Sequence, residues 1–359
     1  MKIILTFKYI NNETRQVVNA MNEMKELTAM QAACWMGRSA HAHLGGVSAH
    51  LYAEFDGPAL DLARLHGALE RLYQAHPMLR LTVTRDSAQT LGDPAPAVLE
   101  IDDFRSLSGQ PLADALARKR QEWTHQQLDL SRGQAARFSV TRLANQRQRL
   151  HIDTDMMAVD PSSVRILLAD LARWYEEPEW TPPPAPSFFA WHEAVQTRLR
   201  ARREQDRQWW RQQLPALAPA PPLPPAPQQT PPASERLSAT LDAATCQALT
   251  TLARQRRLTL SSLMLGLFAH ALGKATGDRR FRLNVPFFWR EPVLGNEQRI
   301  VGEFANLTLV DVDLDQAGTL DALCRQLAAQ WHQRLGHGAY SGVAVMRDLS
   351  RHHLSLIHI

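Results

Sequence analysis

The chain has few cysteines, little net charge and no long apolar run. Its 3 cysteines, Cys34, Cys246 and Cys324, are odd in number and widely spaced, which indicates buried reduced thiols rather than a disulfide framework. A formal net charge of +4 is small for 359 residues, so nucleic acid is not indicated as a partner. The short apolar run within residues 1–10 cannot span a bilayer and no cleavage site follows it. We therefore expect a cytoplasmic protein without a membrane segment.

The sequence also lacks an internal repeat and a glycine-rich phosphate loop; Gly45-Gly46 indicates only a turn. With 45% hydrophobic and 21% charged residues, the composition is that of an ordinary globular protein. A single core usually stops growing at about 250–300 residues, so we expect two lobes. Mixed helical and extended patterns in both halves predict the α/β class.

Two proline clusters, 181–186 and 214–232, interrupt the middle of the chain. Between them, residues 190–214 carry apolar residues, including tryptophans, among many arginines, which predicts an amphipathic surface helix. An Arg/Trp stretch also fits a nucleic-acid surface, but the surface helix is the better interpretation. Beyond the prolines we predict a strand at 236–241, helices at 243–256, 261–274 and 320–335, and strands at 281–287 and 307–314; the helix at 261–274 is apolar on nearly every face and should be buried.

The segment 149–163 has the pattern of a strand with an acidic end, then a loop, then a helix that Pro161 opens. Asp155 and Asp160 flank the apolar residues 156–159, where a charged carboxylate is costly unless it is paired. Strand-to-helix loops commonly present active groups. Asp160 or Ser162 is equally well explained as a helix cap.

The same segment resembles the D-x-x-x-x-D-x-x-S signature of heterocyclization domains of nonribosomal peptide synthetases, with Asp155, Asp160 and Ser163 in place. Further motifs of that family follow in family order over roughly residues 25–350, so the chain is identified as a member. They are Leu27-Thr28 with Gln31, Trp35, Gly37 and Arg38; Leu44 to Val47 with His50 and Tyr52; His76 to Arg80 with Gln89; Leu223 to Pro225; Arg236 to Ser238; Leu258-Thr259; Phe281 to Pro292; Val301-Gly302 with Phe304; and Ser341 to Val343.

The resemblance implies two lobes similar to chloramphenicol acetyltransferase, arranged as a V-shaped pseudo-dimer, with the C-terminal lobe incomplete here. It implies that an acyl thioester on an upstream carrier protein is joined to a Cys, Ser or Thr thioester on a downstream carrier, in siderophore-like biosynthesis. The expected partners are these carrier proteins and an adjacent adenylation domain. No cofactor is expected to bind directly, because the phosphopantetheine arms belong to the carriers.

Two positions depart from the family in a way that bears on ring closure. The family's G-D-F-T motif ends in Ala305 here, and counting back without gaps from Ser341 places Arg334 where the family has a partner aspartate. The resemblance assigns cyclodehydration to these two positions, so we expect amide formation without ring closure. Pro286 and Trp289 also replace usual family residues.

The resemblance gives Asp155, Asp160 and Ser163 as the catalytic positions. Asp160 is expected to be structural, in an ion pair with Arg290. The expected structural or tunnel-lining residues are Arg290, Asn284, Arg38 and Ser341.

Three other interpretations stay open: a domain that only docks carrier proteins, a fully active heterocyclization domain if Arg334 is misplaced, and a free-standing acyltransferase. The last is weakest, because His151 is at the wrong spacing for it. A metal at His41, His43 and His50 is not expected.

The expected domains are an N-terminal extension, an N-terminal lobe, a proline-rich connector containing a helix, a partial C-terminal lobe and a short non-native tail. We expect Arg351 or so to be the last authentic residue, because Leu354 to Ile359 resembles nothing in the family. In the same order, these domains span 1–24, 25–180, 181–234, 235–352 and 353–359.

Overall fold

The structure, a computed structural model, describes residues 24–40, 45–92, 96–223 and 238–357, with side chains as far as His352. The predicted N-terminal extension therefore lies outside the described residues, apart from its last residue. Of the predicted tail, only the backbone of the first five residues is described, as the end of a helix.

The described residues pack as two compact units. Unit 1 comprises Met1–His192 together with Leu294–Glu303, and unit 2 comprises Glu193–Val293 together with Phe304–Ile359. The predicted boundaries do not anticipate that Leu294–Glu303 packs with the first unit. One long helix begins in unit 1 and continues in unit 2.

The described elements of unit 1 are β1 (Lys25–Glu26), α1 (Ala29–Gly37), β2 (His50–Pro58), α2 (Leu62–Ala75), β3 (Leu81–Val83), β4 (Ala88–Leu91), β5 (Leu99–Asp103), α3 (Gly109–His125), β6 (Ala136–Leu143), β7 (Arg147–Asp155), α4 (Pro161–Glu176) and the start of α5 (Phe188–Gln213), with 3-10 turns at Pro77–Arg80, Leu130–Arg132 and Glu297–Arg299. The strands form a four-stranded sheet of order β2-β7-β6-β5 and a three-stranded sheet of order β1-β4-β3. All these pairings are antiparallel except that of β5 with β6.

Helices α2 and α4 pack on each other and form much of the unit 1 core. On α2 the apolar residues recur at helical spacing, and Leu65, Leu69 and Leu72 are buried. On α4, Leu171 and Trp174 are buried in the same way. The apolar face of each helix is therefore the face that packs in the core of unit 1.

Unit 2 is built on one antiparallel strand pair covered by helices. Phe281 and Val312 lie opposite each other in the ladder, and both are fully buried. The elements are the remainder of α5, a 3-10 turn at Leu214–Ala216, α6 (Ala243–Gln255), α7 (Leu260–Thr276), β8 (Arg280–Phe288), β9 (Ala305–Asp313), α8 (Leu314–Ala317), α9 (Leu320–Leu335) and α10 (Gly342–Ile357).

Most predicted elements of unit 2 are confirmed, but two expectations are wrong. The described part of the predicted strand at 236–241, Ser238–Leu241, is exposed and forms no strand, because an alternating pattern cannot supply a pairing partner. Helix α7 is not buried on every face: Met264 is 43% exposed and Phe268 59% exposed. The packing of α7 against α6 and α9 covers only part of its surface.

Leu294–Glu303 is fixed in unit 1 by a buried carboxylate. Arg299 Nη2 donates to both oxygens of Asp170, at 2.9 and 2.8 Å, and His76 Nε2 lies 2.9 Å from Asp170 Oδ2. Burial opposes the charge of Asp170, but the hydrogen bonds from His76 and Arg299 outweigh it and hold the pKa of Asp170 below its usual value.

We predict that Asp170→Asn lowers the free energy of unfolding by about 3 kcal/mol, near the lower end for breaking a buried pair, because Arg299 is partly exposed. A lowered folded-state pKa means that the stability from Asp170 is complete above the pKa of the unfolded chain and is lost as pH falls through the folded value. Urea unfolding between neutral and acid pH measures both effects. Asp103→Asn, in an exposed pair with Arg105, is the control and should change little. Equal losses in both variants would contradict this account.

Candidate active site

The acidic motif lies where β7 ends and α4 begins. Asp155 is the last residue of β7, and Pro161 is the first residue of α4. Asp160 is the N-cap of α4, because its carboxylate accepts a hydrogen bond from the backbone N–H of Ser163 at 2.6 Å. The helix-cap interpretation of Asp160 and the position of Pro161 are therefore confirmed.

Asp155 is buried and held by three hydrogen-bond donors. Arg38 forms an ion pair with Oδ2, and the Ser48 hydroxyl donates to the same oxygen at 3.0 Å. The backbone N–H of Met157 donates to Oδ1 at 3.0 Å. These contacts offset the cost of placing a carboxylate beside an apolar segment. The partner that the sequence required for Asp155 is thus Arg38, whereas nothing in the pattern singled out Ser48.

Asp160 and Ser163 both contact the backbone of Gly302. The Ser163 hydroxyl donates to the Gly302 carbonyl at 3.0 Å and accepts from the Gly302 N–H at 3.0 Å. The backbone N–H of Asp160 donates to the same carbonyl at 2.9 Å. Asp160 and Ser163 are fully buried. The Ser163 hydroxyl is thus used to hold the returning segment Leu294–Glu303.

The thiol of Cys34 lies beside this site, where its thiolate form is disfavoured. Burial, with the charges of Glu303 and Asp155 as further causes, raises the pKa of Cys34 to about 12. The thiol therefore stays protonated at neutral pH. Glu303 itself is buried and accepts a hydrogen bond from the Thr28 hydroxyl at 3.0 Å.

Three predicted structural or tunnel-lining residues lie in unit 2. The Arg290 guanidinium lies 3.7 Å from the centre of the Phe304 ring, a cation–π contact. Asn284 lies on β8, and its amide nitrogen is 3.2 Å from the sulfur of Met346. The Ser341 hydroxyl accepts a hydrogen bond from the backbone of the first turn of α10 at 3.2 Å. That these residues line a tunnel stays a prediction.

Arg334, the expected substitute for an acid, is buried in unit 2. Its Nη2 donates to Asp311 Oδ2 at 2.5 Å, its Nη1 donates to the carbonyl of Leu309, and its guanidinium lies 5.7 Å from the Trp210 ring centre. Ala305 is the first residue of β9. A methyl group has no proton to transfer, and an arginine keeps its charge in proteins. Neither side chain can therefore transfer a proton. The contact of Arg334 with Asp311 was not predicted, because the sequence does not show which strand residue faces the helix.

The structure brings Asp155 and Arg38 together and joins Asp160 to Ser163, all within unit 1. Asp160 and Arg290 belong to different units, and their pairing stays a prediction. Gly302 is a motif residue in the sequence, but the sequence does not predict its contacts with Ser163 and Asp160. Its membership of the family's G-D-F-T motif was the available signal.

In the part of the chain that the structure describes, no group of three or more His, Cys, Asp or Glu residues is placed to hold a metal ion. His41 and His43 lie outside that part. No single described helix is both long and apolar enough to cross a bilayer. The pair α6 and α7 reaches that length and composition together but is bent by 102°.

We predict that Gly302→Ala destabilises the fold, because a Cβ there would meet the Phe188 ring at 2.2 Å. Overpacking of this kind typically costs about 1–3 kcal/mol. Gly67→Ala is the matched control: no atom lies within 4 Å of its added Cβ, and it lies in α2. There Ala should stabilise, by up to about 1 kcal/mol. Denaturant unfolding measures the change in the free energy of unfolding for both variants. Changes of the same sign would contradict this prediction.

Comparison with known proteins shows the family to which the chain belongs. The chain is 38% identical over 336 residues to phenyloxazoline synthase MbtB of Mycobacterium bovis, and 32% identical over 335 residues to pyochelin synthetase PchE of Pseudomonas aeruginosa. Each match covers 91% of this chain but only 23% of the relative, so the chain spans about a quarter of these proteins.

Among solved structures, the cyclization-docking bidomain of the EpoB nonribosomal peptide synthetase from Sorangium cellulosum is similar, with a TM-score of 0.81 and 26% identity. The similarity covers 93% of this chain and 67% of that one. It confirms the expected α/β condensation-type fold. Residues 21–356 match the Condensation domain family, so the chain belongs to that family, and it is similar to heterocyclization-type domains.

Proposed function

We propose that the chain joins a carrier-bound acyl thioester to a carrier-bound Cys, Ser or Thr thioester, and that it forms the amide without closing the ring. The upstream and downstream carriers present their substrates on phosphopantetheine arms, and an adenylation domain loads the amino acid. The product class is siderophore-like.

Family membership and the site geometry support the condensation half of this proposal. Two carrier-tethered substrates react mainly because they are held together, which can supply much of the rate. Asp155, with its donors Arg38 and Ser48, offers fixed polar groups at the end of a strand. Of these groups, the donors Arg38 and Ser48 are of the kind that can stabilise negative charge developing on the reacting carbonyl oxygen.

The observation that carries the loss of ring closure is the engagement of Arg334. Its guanidinium is committed to Asp311 and to the Leu309 carbonyl, and Ala305 has no hydroxyl. Loss of water from the cyclised adduct needs a group that gives a proton and a group that takes one. Neither position offers such a group. MbtB, by its name, makes a phenyloxazoline, so this proposal gives the chain a different product from that relative.

A domain that only docks carrier proteins is the second candidate. Asp155, Asp160 and Ser163 are each at most 1% exposed, and Ser163 is used to hold Gly302. If all three residues serve the fold, carrier binding would remain without chemistry.

We predict that the chain, within a synthetase that supplies loaded donor and acceptor carriers, forms linear amide on the downstream carrier. Ring product should be reduced by about 10²–10⁴-fold, the usual effect of losing positioned proton-transfer groups. Intact mass spectrometry of the downstream carrier separates amide from ring by one water. A heterocyclization domain that retains Thr and Asp at the two positions is the positive control.

Ring formation as fast as amide formation would contradict the assignment of Ala305 and Arg334. No product of either kind would favour the docking-only alternative. Ala305→Thr with Arg334→Asp should restore some loss of water, more than either single change. Because Arg334 is buried against Asp311, the amount of folded protein must be measured for each variant.

A further inference from the structure

Two histidines on the unit 1 sheet, His50 partly buried and His151 fully buried, have hydrogen-bond partners of different kinds. His50 lies on β2 and His151 on β7. The Nδ1 of His50 is 2.7 Å from Asp153 Oδ1, and its Nε2 is 3.0 Å from the backbone carbonyl of Thr124. A carbonyl has no proton to give, so Nε2 must donate. A carboxylate at the other nitrogen completes a pair of acceptors, and both ring nitrogens then need a proton.

The partners of His151 are hydroxyls instead. The Tyr52 hydroxyl is 2.8 Å from Nδ1 and donates its own proton to Glu54, and the Thr141 hydroxyl is 2.9 Å from Nε2. One ring nitrogen can donate to Tyr52 while the other accepts from Thr141, which suits a neutral ring. Burial, helped by the nearby charge of Lys119, lowers the pKa of His151 to about 4. His151 is thus an internal comparison for His50.

The charges around His50 form a balanced set. Asp153 and Asp155 are two residues apart on β7 and therefore on the same face of the sheet, and both are buried. Asp155 pairs with Arg38, and Asp153 pairs with His50. Each of the two cationic side chains is only 11% exposed. If His50 lost its proton, one buried negative charge would have no matching cation in this set.

The contacts of His50 also lie beside the end of β7, where the candidate active site begins. His50 lies directly opposite Asp155 in the ladder, and the backbone N–H of Met156 donates to the carbonyl of Ala49 at 2.9 Å. His50 also bonds the last turn of α3 through Thr124, where the helix dipole favours a cation. The His50 ring thus ties α3 to the sheet beside Asp155.

We propose that His50 is a positioning residue that carries a proton at neutral pH, and that Arg38, His50, Asp153 and Asp155 form a charge-balanced buried cluster that holds Asp155 in place. This inference concerns the folding of unit 1 and does not depend on the proposed reaction. It makes the site sensitive to alkaline pH.

The direction of the pH effect follows from the surroundings of His50. The hydrogen bond with Asp153 is the largest cause that raises the pKa of His50; burial opposes it, and the Thr124 carbonyl and the charge of Asp155 reinforce it. Arg137, on β6, lies opposite Asp153 in the ladder, and its guanidinium donates to the amide of Gln126, which in turn donates to Asp153. With a raised folded-state pKa, stability from His50 is complete below the pKa of the unfolded chain and is lost as pH rises through the folded value.

The test is nitrogen-15 NMR of the histidine rings in the unmodified chain across a pH series. We expect both nitrogens of His50 to be protonated at pH 7 and the ring to titrate above the ordinary histidine range. His151 should be neutral at the same pH, with one protonated nitrogen. A neutral His50 ring at pH 7, whether or not Asp153 carries the proton, would overturn the proposal.

Two variants separate the proton from simple packing. Asp153→Asn should lower the pKa of His50, whereas Thr141→Val, which contacts His151, should leave it unchanged. His50→Gln keeps a donor without the charge, so its stability should no longer fall as pH rises through the wild-type transition. An unchanged His50 titration in Asp153→Asn, or a pH dependence that survives in His50→Gln, would also overturn the proposal.

Discussion

The backbone of Gly302 is held at both of its polar groups by the loop that carries the acidic motif. Ser163 bonds its N–H and its carbonyl, and the N–H of Asp160 bonds the same carbonyl. The contact is buried, so removing one partner would leave the other polar group without a hydrogen bond and would cost stability. The close approach of Phe188 explains why a glycine is needed there. Arg299 and Asp170 then fix the rest of the returning segment.

This arrangement divides the motif by role. The Asp160 carboxylate accepts from the first turn of α4 and the Ser163 hydroxyl bonds Gly302, so both residues contribute to the fold. Asp155 is held by the side chains of Arg38 and Ser48. A change at Asp155 would therefore rearrange charge at the end of β7. In unit 2, the ion pair of the buried Arg334 with Asp311 joins helix α9 to strand β9.

Local features of the sequence predicted much of this structure. Pro161 and the cap at Asp160 mark the start of α4, and the apolar spacing at 320–335 matches α9 residue for residue. These features depend on neighbours in the chain. The exposed face of α7 and the absence of a strand at Ser238–Leu241 could not be predicted, since both depend on which surfaces another element covers.

The same distinction applies to the site. The motif identified Asp155, Asp160 and Ser163, and composition required a partner for a carboxylate beside an apolar stretch. The bond between Ser163 and Gly302 joins residues 139 positions apart, and the bond between His50 and Asp153 joins residues 103 positions apart. Contacts of that range follow from the packing of whole elements, which no local pattern describes.

The central claim is that Ser163 serves the fold and not the chemistry, and the unfolding free energy of Ser163→Ala tests it most directly. The account predicts a loss of about 1–3 kcal/mol, because the N–H of Gly302 is left buried without its partner. Amide formation per folded molecule should then be retained. A Ser163→Ala protein with unchanged stability and no condensation activity would contradict the account.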